Sequence, residues 1–68
     1  MLEKVYIVQS ANTGDFLYLS PETGDIGHTR LVANAGLFFD FEEAVTAGLS
    51  EIGSQHEFVV FGFMKEID

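Results

Sequence analysis

The sequence contains no cysteine, which excludes disulfide bonds, thiolate zinc sites and cysteine nucleophiles. It also has little positive charge, because 3 Lys and Arg residues stand against 11 Asp and Glu residues, for a formal net charge of -8. Nucleic acids and anionic membranes are themselves polyanions. We therefore do not expect this chain to bind either of them directly.

Long apolar runs and a basic leader are missing as well. No stretch approaches the roughly 20 apolar residues that are needed to cross a bilayer. Residues 1–4, Met-Leu-Glu-Lys, do not begin the basic and then apolar pattern of a secretory signal. We therefore expect a cytosolic protein.

The composition that remains is typical of a small folded domain. The chain has 68 residues, of which 47% are hydrophobic and 21% are charged, unlike a disordered acidic tail. Residues 1–68 are too few for two cores and predict a single domain. A domain of this size buries only about 60% of its unfolded surface, so we expect a thin margin of stability.

Three apolar runs predict strands. Residues 5–8 and 16–19 are rich in β-branched and aromatic side chains, and residues 56–63 form the longest run. The stretch 26–37 is less regular. Ile26, Leu31 and Val32 indicate one more short strand there, which is the third of four in chain order. The glycines that interrupt the stretch predict that a loop follows this strand.

The tripeptide Thr-Gly-Asp occurs twice, at 13–15 and at 23–25, each time between an apolar run and an apolar residue. A step of ten residues is typical of a strand-turn unit in an antiparallel meander. We interpret the repeat as shared turn chemistry, because Gly can adopt positive φ. A cation bound at the two aspartates is less favoured, since neither loop carries the several oxygen ligands that calcium needs.

One helix is predicted after residue 40. Asp40 is a typical N-cap, and Glu43, three positions later, is expected to complete a capping box. Gly53 is expected to end the helix. Apolar residues at helical spacing predict the face that packs on the core: Phe41, Ala44, Val45, Gly48, Leu49 and Ile52.

The order β-β-β-α-β predicts an α+β fold in which one helix packs on one face of a mostly antiparallel sheet. The first and last strands are apolar on both faces, which is typical of central strands. Because one helix covers only one face, we expect some aromatic surface to stay open. A loop such as 33–39, or another chain, could cover it instead.

Residues suited to catalysis are few. His28 and His56 are the only imidazoles, and neither has the spacing of a metal site. Ser20, Asp25 and His28 are the residue types of a catalytic triad. Such a set is expected by chance in a short acidic chain, and no strained nucleophile turn accompanies it. We therefore expect no enzymatic activity, no metal and no cofactor.

The negative charge is unevenly spread, since residues 31–64 contain no Lys or Arg. A field of one sign is unusual unless it steers a partner. Capping, the helix dipole and solubility also favour acidic turns and an acidic first helical turn. The acids that we predict to bind a partner are Asp15, Glu22, Asp25, Asp40, Glu42, Glu43, Glu51 and Glu57.

Imitation of DNA requires a high density of negative charge. A folded chain of this size has roughly 4,000 Å² of surface, hence about one net charge per 500 Å². B-DNA carries on the order of one charge per 100 Å². Mimicry therefore requires the acids to concentrate on one face, and the sequence leaves that open.

In length, acidity, lack of cysteine and β-β-β-α-β order, with Asp-Phe-Glu-Glu-Ala at 40–44 as a local feature, the chain resembles small anti-CRISPR proteins of phages and mobile elements. The likeness is to inhibitors of type I surveillance complexes, and within these to type I-C inhibitors. It implies a non-enzymatic inhibitor in the bacterial host cytosol. Its partner would be a host DNA- or RNA-binding complex, which it would block by acidic DNA mimicry. No shared motif assigns a role to any single residue.

A second hypothesis places binding on the sheet rather than on the acids. The chain would then be a protein–protein interaction module that uses its open apolar face or an edge strand, with its charge serving solubility. Under this hypothesis the protein is a monomer, or a homodimer that buries the aromatic face.

Overall fold

The structure, a computed structural model, describes residues 1–20 and 22–67. Its elements are β1 (Leu2–Ser10), β2 (Phe16–Leu19), β3 (Ile26–Thr29), a 3-10 turn (Val32–Asn34), α1 (Phe41–Glu51) and β4 (Phe58–Glu66). The four strands form one antiparallel sheet. The predicted α+β class and the predicted order of elements are confirmed.

The strand order in the sheet is β3-β2-β1-β4. β1 and β4 pair along their whole length, from Leu2 opposite Glu66 to Ser10 opposite Phe58. β1 is therefore a central strand, as its two apolar faces predicted. The same prediction is wrong for β4, which lies at an edge of this sheet. Apolar residues on both faces of a strand indicate that the strand is contacted above and below the sheet. They do not indicate whether it has a hydrogen-bonded strand on each side.

The third strand is shorter than its apolar residues suggested. β3 ends at Thr29, so Ile26 lies within it, whereas Leu31 and Val32 lie beyond it and expose 62% and 60% of their surface. The Thr29 hydroxyl accepts a hydrogen bond from the Leu31 N–H at 3.2 Å. This side-chain bond turns the backbone away from the ladder and closes the strand.

The loop after β3 returns to the sheet between β1 and β2. These two strands share a single pair, Gln9 opposite Phe16. Beyond it, Phe38 exchanges two backbone hydrogen bonds with Tyr6 (2.8 and 2.9 Å), and the Gly36 N–H donates to the Leu17 carbonyl at 2.8 Å. The loop thus satisfies backbone groups that the diverging strands would leave unpaired.

The two Thr-Gly-Asp turns have the same geometry. In the first, the Ser10 N–H donates to the Asp15 carbonyl (2.8 Å), and the Gly14 N–H donates to the Ser10 carbonyl (2.9 Å). The Thr13 hydroxyl accepts from the Asp15 N–H at 3.2 Å. The second turn repeats these three bonds with Ser20, Thr23, Gly24 and Asp25. The repeat is therefore one of turn chemistry, with both glycines at positive φ; Pro21, which the predicted turn includes, lies outside the described residues.

The helix begins as predicted but packs by a different stripe. Asp40 is the N-cap, and the structure describes no hydrogen bond from Glu43 back to it. The buried residues of α1 are Ala44, Ala47 and Gly48. These small side chains let the helix approach the sheet closely, and Ala47 was not part of the predicted face. After the helix, the Gly53 N–H donates to the Gly48 carbonyl at 3.1 Å, so the predicted end is confirmed.

The core lies between α1 and the middle of the sheet. Phe58 from the start of β4 packs against Gly48, whose lack of a side chain leaves room for the ring. The bridging Phe38 closes the core beside β1. The buried cluster consists of Val8, Leu17, Phe38, Ala44, Ala47 and Phe58.

Candidate functional site

Side chains of the sheet alternate between a face covered by α1 and a face that no helix covers. Tyr6 and Val8 belong to the cluster beneath α1, so the alternating residues Val5, Ile7 and Gln9 point the other way. We call this second surface the open face. Its apolar members, from the register of the strands, are Val5, Ile7, Phe16, Val59, Phe61 and Phe63.

A groove of about 680 Å³ lies on the open face. Ile7 on β1 lies between Phe16 on β2 and the aromatic pair Phe61 and Phe63 on β4. Phe61 is 44% exposed and Phe63 is 40% exposed. The open aromatic surface expected from the sequence is therefore present on β4, whereas Val5 and Ile7 on β1 are buried. The groove is also lined by Val32 of the 3-10 turn and by three residues of the loop 33–39, which are Ala33, Ala35 and Leu37.

Part of the predicted acidic set comes together on the α1 side of the molecule. A shallow groove there is lined by Ile26 of β3 and by Asp40, Glu42 and Glu43. Asp40 Oδ1 accepts a hydrogen bond from the Glu42 N–H at 3.1 Å, and all three acids are exposed. We call Asp40, Glu42 and Glu43 the acidic cluster.

The other five predicted acids do not line that groove: Asp15, Glu22, Asp25, Glu51 and Glu57. Glu57 has a local structural role, because its carboxylate accepts a hydrogen bond from the Ser54 N–H at 3.1 Å. Its backbone carbonyl accepts from the Ala11 N–H, which places it beside the first turn, where Asp15 lies. Of the predicted set, the structure thus brings together Asp40, Glu42 and Glu43 and places Glu57 beside the first turn.

The carboxylates of the acidic cluster have no cationic neighbour among the described residues. The one ion pair among the described residues lies outside the cluster and joins the Met1 amino group to Glu66 at 2.7 Å. Lys4 instead lies over the Tyr6 ring, with Nζ 5.9 Å from the ring centroid. The last turn of α1 carries no basic residue, so the negative field on this side is not offset locally.

The residues considered for catalysis are not assembled into a site. Ser20 and Asp25 are joined through the backbone of their turn, at 2.9 Å. His28 is exposed on β3, beside Tyr18 and Leu19, and makes no side-chain hydrogen bond within the described ranges. Across residues 1–20 and 22–67, no three His, Asp or Glu side chains are placed to hold a metal ion.

Sequence reasoning missed an apolar strip on α1. Phe41 and Leu49 were predicted to be core residues but are 51% and 46% exposed. With Val45 they follow the spacing i, i+4, i+8, and we call them the apolar flank. Phe41 and Val45 share a groove with Val59 and Val60, so the flank faces β4. The helical pattern revealed the strip, but it cannot tell which part of a wide apolar face reaches the core.

None of the described helices is both long enough and apolar enough to cross a membrane. Comparison of the chain with protein-family models, curated proteins and solved structures gives no match.

Proposed function

We propose that the chain is a non-enzymatic inhibitor that binds a basic, nucleic-acid-binding surface of a host protein complex through its α1 side. The observation that supports this most is the acidic cluster: three exposed carboxylates at the start of α1, without a cationic partner among the described residues. Such a surface attracts a Lys- and Arg-rich channel and repels most other partners.

The local charge density is compatible with mimicry even though the average is not. The total surface is 4581 Å², so the net charge of -8 is dilute overall. At the start of α1 it is not dilute. Asp40, Glu42 and Glu43 lie within about 5 Å along the helix axis. A single DNA strand carries one phosphate per about 3.4 Å.

The partner that we propose is a type I CRISPR surveillance complex, with a type I-C complex as the first choice, in the cytosol of a bacterial host. Such complexes hold target DNA in channels lined by basic side chains, so an acidic helix seated there competes with DNA. Salt screens this attraction, and the affinity of the chain for the complex is therefore expected to fall as ionic strength rises.

The test compares two variants that lose the same charge. Glu42→Gln with Glu43→Gln removes two carboxylates from the acidic cluster and leaves the Asp40 cap in place. Glu3→Gln with Asp15→Asn removes two carboxylates outside the cluster. With exposed pairs of about 0.7 kcal/mol each, the first variant should need about tenfold more protein to block target DNA binding by the purified complex. The second should match the wild type within about threefold.

Equal potency of both variants would show that the contact with the partner lies outside the acidic cluster. Thermal unfolding of each variant separates lost binding from lost folding, because acids at a helix N-terminus also stabilise the helix.

A second candidate function is favoured by the groove on the open face. Its exposed Phe61 and Phe63, together with Val59 on the same face of β4, fit an apolar segment of a partner protein. Binding of that kind resists salt and is lost in Val59→Glu, whereas the acidic interface weakens in salt and tolerates that change. Stepwise elution of captured partners with salt therefore distinguishes the two functions.

A further inference from the structure

The free edge of β4 presents a regular row of backbone hydrogen-bonding groups. Tyr6 bonds to Phe38 on the β2 side of β1, so the N–H and C=O groups of Val5 and Ile7 point toward β4. Their partners on β4, Phe63 and Phe61, hydrogen-bond to them through their own N–H and C=O groups. The residues of β4 that alternate with these therefore direct their backbone groups away from β1; they are Val60, Gly62 and Met64. No described strand pairs with them.

From Phe58 to Met64 this edge lacks the usual features that prevent pairing. The edge strand is nine residues long and has no proline, and its only charged residues, Lys65 and Glu66, lie at its end. Natural edge strands are usually short or carry charges, prolines or bulges that block a second chain. For a chain with a net charge of -8, this uncharged edge is also where two copies can approach with the least repulsion.

The sequence of β4 is complementary to itself about Gly62. In an antiparallel pair centred there, Gly62 lies opposite Gly62 of the other copy, and Val60 lies opposite Met64. These are the outward-directed residues, so the pairs are hydrogen-bonded. On the open face, Phe61 then lies opposite Phe63 of the other copy in the closer, non-hydrogen-bonded position, where aromatic cross-strand pairs are favourable.

The apolar flank of α1 faces the same edge. A two-fold axis perpendicular to the sheet keeps both helices on one side of it. The two β1 strands are then three strand spacings, about 14 Å, apart, so large side chains of the two flanks can meet between the helices. This accounts for the exposure of Phe41 and Leu49, which the core of one copy leaves uncovered.

The area available approaches that of a stable dimer. Six large apolar side chains near the edge expose on the order of 500 Å² per copy, and the strand backbone adds to this, against about 800 Å² per partner in standard interfaces. The six are Phe41, Leu49, Val59, Phe61, Phe63 and Met64, each 40% to 54% exposed.

We propose that two copies of this chain pair antiparallel through β4, centred on Gly62, into an eight-stranded sheet with both α1 helices on one side. The dimer does not depend on the proposed function, but it would place two acidic clusters on the same side of one sheet. Because both copies are negative, salt strengthens the dimer while it weakens binding to a basic target.

The variant Met64→Pro tests this pairing. The Met64 N–H points outward, so its loss spares the β1–β4 ladder, and proline is tolerated when its position faces away from a neighbouring strand. The matched control Met64→Thr keeps the N–H. Sedimentation equilibrium of the full chain should show a concentration-dependent dimer whose dissociation constant rises at least about tenfold in Met64→Pro and at most about threefold in Met64→Thr.

A wild-type chain that remains a 7.5 kDa monomer at about 1 mM, or a dimer that Met64→Pro leaves intact, would overturn the proposal. Dilution of the wild type, followed by amide chemical shifts, gives a test that needs no variant. The shifts should change at Val60, Gly62 and Met64 and along the apolar flank. Changes confined to β3, at the opposite edge of the sheet, would contradict the register.

Discussion

The contact between Gly48 of α1 and the Phe58 ring gives a prediction in which two effects oppose each other. In an exposed helix, Gly→Ala stabilises the protein by about 1 kcal/mol, because Ala loses less backbone entropy on folding. At position 48 the added methyl group would overlap the buried Phe58 ring. Forcing an extra methyl group into a packed core costs typically about 1–3 kcal/mol. We therefore expect Gly48→Ala to destabilise the protein by about 1 kcal/mol.

A double-mutant cycle isolates this contact. The methyl group would meet the outer atoms of the Phe58 ring, Cδ2, Cε2 and Cζ, and the last two have no counterpart in leucine. Phe58→Leu alone should cost about 1 kcal/mol, and in its presence Gly48→Ala should become neutral or stabilising, a coupling of about 1–2 kcal/mol. Urea unfolding followed by circular dichroism measures all four proteins.

The total stability of a 68-residue domain is of the order of 3–10 kcal/mol, so a change of this size is well resolved. If Gly48→Ala stabilises the otherwise unchanged protein by about 1 kcal/mol, as at an exposed helical site, α1 does not lie against Phe58 in the way described. A coupling close to zero would lead to the same conclusion.

The turns and the helix cap give two smaller predictions. Gly24→Ala should cost about 1 kcal/mol in unfolding experiments through its positive φ alone, because no atom of the protein lies within 4 Å of the added carbon. Asp40→Ala should cost about 1 kcal/mol in the same experiments because it removes the observed cap, whereas Glu43→Ala should cost less than about half of that, since the described residues show no capping-box bond from Glu43. Equal losses for the last two variants would show that Glu43 does cap the helix.

Local signals in the sequence were enough to predict the elements of the fold. The residues of β2 and the cap at Asp40 follow from neighbouring side chains: an apolar run bounded by turn residues, and a carboxylate one position before a helical pattern. The repeated turns are likewise set within a few residues, so their ten-residue spacing predicts their common geometry.

Features that depend on distant contacts could not be predicted in this way. The return of the chain between β1 and β2 rests on Phe38 meeting Tyr6, residues that are 32 positions apart. The edge position of β4 depends on which strands pair, and an apolar composition does not report that. For the same reason, the apolar stripe of α1 was assigned wholly to the core, although Phe41 and Leu49 lie outside it.

Of the eight acids that the sequence predicted to bind a partner, the structure brings Asp40, Glu42 and Glu43 together beside one groove. Spacing along the chain could not show that the Glu57 carboxylate is hydrogen-bonded to the turn at Ser54. Nor could it show that Glu57 lies beside the first turn, which contains Asp15.

In the proposed function, the acidic cluster takes the place of DNA on a basic surface. The measurement that tests this is the binding of labelled chain to a purified type I surveillance complex, with and without target DNA, at two salt concentrations. We expect target DNA and the chain to exclude each other, and the dissociation constant of the chain in the absence of DNA to rise at least about tenfold when salt rises from about 0.05 M to about 0.2 M. Simultaneous binding of the chain and DNA, or an affinity of the chain that salt does not change, would show that the cluster does not act in this way.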